Sequence, residues 1–275
     1  MLKSRLCIAF FAFAVGCAPA QKPLTDYVNP MLGTATLWDS VDLGFKPTKR
    51  TWGAEVFPGS SLPNAMVQVS PVTKFHSGAG YQYEDSVIYG FTHTNKGHWN
   101  LCHIPLLPVT GTPTPGDYCS PFSHERESAA PGYYQVFLDR YGVDAQLSST
   151  LRCAFHKYTY PAGAAASLLA DLQRSNEHVR AWDIRKEGDN VFAGWQQTGE
   201  KMYFYAVANR PVTGIEPVVE GDREVRIVRF GEGDGALELR IGFSFVSEKN
   251  ARENLEAEML GKSFAEVRAE ATVTW

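Results

Sequence analysis

Short runs of alternating hydrophobic and polar residues recur along most of this chain. The clearest is ALELRIGFSFV at positions 236–246, where every second residue is apolar and would share one face of a strand: Leu237, Leu239, Ile241, Phe243 and Phe245. Further runs of this kind are GYYQVFLDRYG (132–142), CAFHKYTYP (153–161), KMYFYAVAN (201–209) and REVRIVRF (223–230). Turn residues such as Pro131-Gly132 and Gly221-Asp222 separate them. Many strands without intervening helical periodicity predict a mainly β fold, an antiparallel β-sandwich over residues 21–246.

The pattern changes to a helical one over residues 247–275. Asn250 with Glu253, and Ser263 with Glu266, have the spacing of capping boxes, and Gly261 between them is typical of a helix stop. The apolar faces of these helices must pack on something. One interpretation is a helical linker toward a further domain, and the other is a pair of helices that fold back on the sandwich.

Composition narrows the classes of function. The chain has 275 residues, 44% of them hydrophobic, and a formal net charge of −4. Such a chain has enough apolar residues for a core and no basic face for nucleic acid. No run of acidic or basic residues suggests a polyanion partner.

The first 20 residues predict an export signal. Lys3 and Arg5 precede an apolar run that is too short to span a membrane. Ala18-Pro19-Ala20 is an A-x-A cleavage site, whereas Gly16-Cys17 is similar to a bacterial lipoprotein box and would leave lipid on Cys17. We favour the lipoprotein slightly, and either interpretation places the protein in the periplasm or at the outer membrane or cell surface of a bacterium. A lipid anchor would be its only membrane attachment.

Cysteines are few after the leader. Cys102, Cys119 and Cys153 remain, with no CxxC pair, so a zinc site is not indicated. A Cys102–Cys119 disulfide and buried thiols are both open interpretations.

The segment GFTHTNKGHWNLCHIP, residues 90–105, carries the most conspicuous chemistry. His93, His98 and His103 are five residues apart, a spacing that places them on one face of neither a strand nor a helix. A metal site built from this segment alone, or a nucleophilic Cys102, is therefore disfavoured. A loop that presents Trp99 to a sugar ring, with His98 and Asn100 beside it, fits the chemistry. The alternative is that these side chains lie in the core.

Five blocks of sequence, in order, resemble the N-terminal domain of the glycoside hydrolase family 92 α-mannosidases. They are YVNPMLGT (27–34), FPGSSLPNAMVQVSP (57–71), GYQYEDSVIYGFTHT (80–94), SHERESAAPGYYQVFLD (123–139) and LRCAFHKYTYP (151–161). The resemblance extends from about residue 25 to the end of the chain.

This resemblance implies a galactose-mutarotase-like supersandwich, with residues 247–275 as the linker to an α/α barrel that is absent from this chain. It also implies calcium-dependent, inverting removal of mannose from glycans. Because the family's catalytic carboxylates and most of its calcium ligands belong to the barrel, no catalytic or metal residue is assigned here.

The resemblance also ranks candidate sugar contacts. His93 matches the family's Ser-His and is the first choice, followed by Trp99 and His98, and then Phe57, Gly59 and Met31. The chain departs from the family at Asn64-Ala65, and NKGHWNLCHIPLLP (95–108) replaces a Gly-rich segment with Asp residues. Substrate specificity is therefore the property least predictable from the family.

Two classes of function follow. The first is the sugar-binding N-terminal domain of an exported α-mannosidase, inactive without its barrel. The second is a free-standing carbohydrate-binding or cell-surface module. A self-sufficient hydrolase is disfavoured because no paired-carboxylate motif stands out.

Overall fold

The computed structural model describes residues 22–36, 55–97, 99–114, 118–233 and 235–275. Two antiparallel sheets face each other, and two short two-stranded pairs and two helices accompany them. The antiparallel sandwich predicted from alternation is confirmed.

The first large sheet, sheet A, has seven strands in the order β1-β2-β4-β7-β13-β18-β17. Their bounds are Ser60–Ser61, Gln68–Val72, Gly90–Thr92, Leu106–Thr110, Ala166–Ala170, Arg223–Phe230 and Val212–Glu220, in that order. The two small pairs join β3 (Val87–Ile88) to β8 (Ser120–Pro121) and β5 (Asn95–Lys96) to β6 (Trp99–Asn100).

The second large sheet, sheet B, has eight strands in the order β14-β15-β16-β19-β12-β11-β10-β9. Their bounds are Ala181–Lys186, Val191–Gln197, Lys201–Ala208, Leu237–Ser244, Cys153–Thr159, Val143–Ser149, Tyr133–Leu138 and Glu127–Ala130, in that order.

The core lies between the two sheets, and strand β16 shows why. Its burial alternates residue by residue, with Met202, Phe204 and Ala206 inside. Strand β19 also buries its predicted apolar face, except at its end. The strand ends at Ser244, and Phe245 is 41% exposed. The alternation of apolar and polar residues in the sequence therefore continues beyond the hydrogen-bonded part of the strand.

The two helices cover the outer face of sheet B. Helix α1 (Glu248–Glu258) and helix α2 (Phe264–Thr274) bury apolar residues against β10 and β12: Leu255, Met259, Phe264 and Val267. Gly242 of β19 lies directly beneath α1, where a Cβ would come within 2.1 Å of the Ala251 carbonyl oxygen. The packing matches the interpretation in which the helices fold back on the sandwich, while the proposal that they lead to another domain stays a prediction.

One predicted helix boundary is wrong and another is confirmed. Helix α1 begins at Glu248, and the hydroxyl of Ser247 caps it by accepting a hydrogen bond from the Asn250 amide, so Asn250 is not the cap. The capping box of Ser263 and Glu266 is present at the start of α2. Gly261 lies between the helices with φ of 80°, as expected for a helix stop.

Antiparallel pairing gathers several loops at one end of the sandwich. The carboxyl ends of β4, β11, β13 and β15 lie there beside the amino ends of β7, β10, β12 and β14. This end, which we call the upper end, carries the segments 93–105, 130–133, 149–153 and 171–181. The candidate sugar contacts belong to it or border it.

Candidate functional site

The upper end and the segments that border it expose large apolar side chains, and six that are more than one-third exposed are considered together: Leu32, Val56, Leu151, Phe245, Val246 and Trp275. Scattered exposed apolar residues are ordinary on soluble proteins, but a concentration at one end marks an interaction surface. We refer to these six residues as the apolar patch.

A shallow apolar cleft of about 220 Å³ opens within this patch. Phe57 and Gly59 line it together with Leu32, Ala130 and Trp275. The Trp275 indole N–H closes one side by donating to the Ser61 carbonyl over 2.8 Å. Two predicted sugar contacts, Phe57 and Gly59, therefore lie in one cleft.

Gly59 owes its place to a close backbone approach. A Cβ at this position would lie 1.8 Å from the Val69 carbonyl oxygen, which no side chain tolerates. Met31, by contrast, is half-buried and packs against the main core. Its carbonyl closes a turn by accepting from the Thr34 hydroxyl over 2.8 Å.

The hairpin formed by β5 and β6 presents Trp99. The indole is 40% exposed, and Gly97 at the turn has φ of 61°, a conformation that favours glycine. The base of the hairpin is fixed because the Asn100 amide N–H donates to Gly78 and its side-chain oxygen accepts from the Cys102 amide. His98 lies outside the described residues. Trp99 thus has the open, fixed placement that stacking on a sugar requires.

His93, the first-ranked candidate, lies in the core. It is fully buried, its ring packs 4.6 Å from that of Phe243, and its Nε2 lies 3.1 Å from Nε2 of His156. Burial lowers the pKa of His93 to about 3, so the ring is neutral. The enclosed ring presents no exposed surface to a sugar in this structure, because the opposing sheet packs against it.

His103 has a role that its sequence position did not reveal. Its Nδ1 lies 2.9 Å from the Thr94 hydroxyl, and its Nε2 lies within 3.2 Å of Glu177 Oε2. The Thr198 hydroxyl donates to the same carboxylate oxygen over 2.6 Å. Glu177 is 74 residues from His103 in the chain, so no local spacing pattern could have paired them.

A polar groove of about 890 Å³ opens beside this cluster. Segment 173–183 forms most of its wall, with His76, Glu224 and Arg226 on the other sides. Asn176 joins the wall to the Trp99 hairpin, because its side-chain amide donates to the Asn100 carbonyl over 2.6 Å. We call this opening the polar groove.

Two of the three thiols are unsuited to act as nucleophiles. Cys102 and Cys153 are buried, and burial raises the pKa of both thiols. No disulfide joins Cys102 to Cys119, so of the two interpretations of these residues the structure shows thiols.

The calcium ion that the family resemblance implies would need several oxygen ligands. Within the described ranges, no group of three or more His, Cys, Asp or Glu side chains is arranged to hold a metal ion. In the same part of the chain, no helix is long and apolar enough to cross a membrane.

The chain is similar in sequence to one known protein family. The model of the glycosyl hydrolase family 92 N-terminal domain matches residues 27–253. No curated protein sequence matches the chain.

Solved structures of family 92 mannosidases are also similar to this chain. The family 92 α-mannosidase BT3965 from Bacteroides thetaiotaomicron is 26% identical with a TM-score of 0.79, over 93% of this chain and 37% of that one. Its complex with mannoimidazole matches equally well. The inverting mannosidase BT2199 from the same organism shares the fold, at 21% identity and a TM-score of 0.76, over 93% of this chain and 36% of that one. The chain thus spans little more than a third of the length of these structures.

Proposed function

Because the chain belongs to glycosyl hydrolase family 92 and forms the N-terminal domain of a mannosidase-like protein, we propose that its upper end is one wall of a mannose-binding cleft. The opposite wall would be a C-terminal α/α barrel. The whole protein would then remove mannose from glycans by inverting hydrolysis.

The observation that carries this proposal is the composition of the upper end. Apolar side chains such as Leu32, Val246 and Trp275 are exposed there, and Trp99 and the Glu177 carboxylate are exposed on other segments of the same end. An exposed apolar area rimmed by polar groups is typical of a surface that another domain covers. The same arrangement would bring sugar-binding groups to the edge of the interface.

Trp99 is the best candidate for a direct sugar contact. A half-exposed indole on a fixed hairpin offers a flat apolar face to the C–H face of a sugar ring. Phe57 and Gly59 are proposed to shape the cleft nearby, and His98 stays a proposal of the sequence alone. His93 is proposed to act only by supporting the core beneath.

The hydrolytic chemistry is proposed to lie in the barrel. Inverting hydrolysis needs an acid and a base about 6.5–9.5 Å apart, with water between them. Glu177, the carboxylate at the polar groove, is already held by Thr198 and by His103. The ligands of a calcium ion are also proposed to lie outside this chain, as the family resemblance implies.

An activity assay tests this division. We expect no hydrolysis of an aryl α-mannoside by the chain alone, and turnover by a protein that also carries the barrel. In that longer protein, Trp99→Ala should weaken substrate binding by about threefold to tenfold, the range expected for one lost aromatic contact. Leu260→Ala, which removes an exposed apolar side chain between the helices, serves as control. Turnover by the chain alone would contradict the proposal.

Export is proposed from the leader alone, since residues 1–20 and Cys17 lie outside the described ranges. If Cys17 carries lipid, the protein expressed in bacteria should sediment with membranes, and Cys17→Ser should release it. Equal sedimentation of both forms would contradict the lipid anchor.

One observation favours the second candidate, a free-standing binding module. The helices pack on sheet B and complete a continuous apolar cluster, so the sandwich encloses its own core. Calorimetric binding of a mannose oligosaccharide by the chain, together with no turnover even by a protein that carries the barrel, would favour this alternative.

A further inference from the structure

Arg174 lines the polar groove with an unusually fixed guanidinium group. The group lies 3.9 Å from the ring centroid of Phe75 and 4.8 Å from that of Tyr89. Stacking on aromatic rings holds its plane and reduces the entropy lost when its N–H groups bind a ligand. Among the described residues, no side chain or carbonyl accepts a hydrogen bond from it.

Glu177 supplies a fixed acceptor in the same groove. Its Oε2 is held by the Thr198 hydroxyl at 2.6 Å and lies 3.2 Å from the His103 ring. The side chain is 41% exposed, and its Oε1 has no hydrogen-bond partner among the residues that the structure describes. One carboxylate oxygen therefore orients the group, and the other is available to a ligand.

The wall between these two groups is also rigid. Asn176 accepts a hydrogen bond from the His76 amide over 2.6 Å and donates one to the Asn100 carbonyl over 2.6 Å. The Ser175 hydroxyl donates to the Leu101 carbonyl over 2.7 Å. Donor and acceptor are thus positioned before any ligand arrives, which lowers the cost of binding.

We propose that the polar groove binds a neutral oligosaccharide, with Arg174 donating to sugar hydroxyls and Glu177 accepting from them. A groove with fixed donors and acceptors suits hydroxyl groups, which serve as both. Three carboxylates in its lining, those of Glu177, Asp183 and Glu224, balance the three arginines Arg174, Arg180 and Arg226, so no excess charge favours an ionic ligand over a neutral one. A volume of about 890 Å³ leaves room for more than one sugar ring.

This inference rests on the proposed function and extends it, because the groove lies beside the Trp99 hairpin. It would hold the part of a glycan that extends away from the mannose-binding cleft. Longer oligosaccharides should therefore bind more tightly than mannose itself.

Calorimetry on the full chain tests the groove, with mannose, an α-linked mannopentaose and inorganic phosphate as probes. We expect the pentaose to bind at least tenfold more tightly than mannose. Arg174→Lys keeps the charge but removes the planar pair of donors, and it should weaken pentaose binding about tenfold, as expected for one lost charged hydrogen-bonding group. Arg180→Ala, at an exposed position in the lining, gives a second readout should Arg174→Lys unfold.

Arg268→Lys is the matched control. Its guanidinium also stacks on an aromatic ring, 3.6 Å from the centroid of Tyr133, but on helix α2 and away from the groove. Affinity for the pentaose should not change in this variant.

The outcomes separate the two proposals. If folded Arg174→Lys and Arg180→Ala both bind the pentaose as tightly as wild type, the proposal that the polar groove binds an oligosaccharide is wrong. Loss of binding in Trp99→Ala would still support the proposed mannose-binding wall. Tight binding of phosphate in place of the pentaose would also overturn the groove proposal. If the wild-type chain binds neither mannose nor the pentaose, the groove proposal is wrong. The hydrolysis assay on the protein that carries the barrel then tests the proposed function independently.

Discussion

Replacing Glu127 with alanine is expected to lower the free energy of unfolding by about 3–5 kcal/mol, the range for removing one partner of a buried charged cluster. The Glu127 side chain is 1% exposed and accepts hydrogen bonds from two buried tyrosines. The hydroxyl of Tyr134 lies 2.5 Å from one oxygen, and that of Tyr81 lies 2.9 Å from the other. His124 approaches the carboxylate to 2.6 Å.

The expected loss follows from what the variant leaves behind. Burial and the carboxylate raise the pKa of Tyr81 and Tyr134, so both phenols remain protonated and must donate. Without Glu127 both hydroxyls are buried without an acceptor, and each costs about 1–3 kcal/mol. Equilibrium unfolding in urea measures the change.

Glu125→Ala provides the matched control for this prediction. Glu125 lies in the short 3-10 turn His124–Arg126 that directly precedes Glu127, but it is exposed, so its loss should change stability by about 0.5 kcal/mol or less. Glu127→Gln, which keeps one acceptor oxygen, should fall between the two. A stability of Glu127→Ala close to that of Glu125→Ala would refute the role of the buried carboxylate.

The second large effect concerns pH and the buried pair of His93 and His156. Their Nε2 atoms are 3.1 Å apart, and the Tyr158 hydroxyl lies 2.5 Å from the far nitrogen of His156. A consistent chain of donors runs from Tyr158 through His156 and His93 to the His103 carbonyl, and it needs both imidazoles to be neutral. Burial lowers the pKa of both rings, that of His93 to about 3.

Stability should therefore fall as pH falls. Below pH 6.5, the ordinary histidine pKa, the unfolded chain takes up protons that the folded protein excludes, and for His93 this exclusion holds until about pH 3. A buried neutral histidine contributes a slope of about 1.4 kcal/mol per pH unit over the range in which only its unfolded form is protonated. The contribution is complete above pH 6.5 and decreases toward acid.

His156→Gln isolates this effect, since the amide can still hydrogen-bond to His93 but does not titrate. We expect the variant to be less stable than wild type at pH 7 by about 1–3 kcal/mol. Its pH slope between 6 and 4 should be shallower by about 1.4 kcal/mol per unit. Urea unfolding at several pH values measures both quantities. Equal slopes for wild type and His156→Gln would refute the prediction.

Local patterns in the sequence determined the elements of this fold. A period of two placed Met202, Phe204 and Leu239 inside the sandwich, because successive side chains of a strand point to opposite faces. The capping box at Ser263 depends on residues three positions apart and was predicted correctly. Local patterns did not correctly predict the residues at which a strand ends or a helix begins. The alternation that includes Phe245 continues past the last ladder residue, and Ser247 took the capping position that Asn250 was predicted to hold.

The sequence alone thus determined the β-sandwich, the terminal helices and the resemblance to family 92. Only the tertiary structure decided which conspicuous side chains are accessible. His93 contacts His156 of strand β12 and is buried, whereas Trp99 is exposed on its hairpin. Glu177 contacts His103, although 74 residues separate them in the sequence. The physical reason is that alternation and capping depend on neighbours within four residues, whereas a site depends on contacts that form only when distant strands pair and pack.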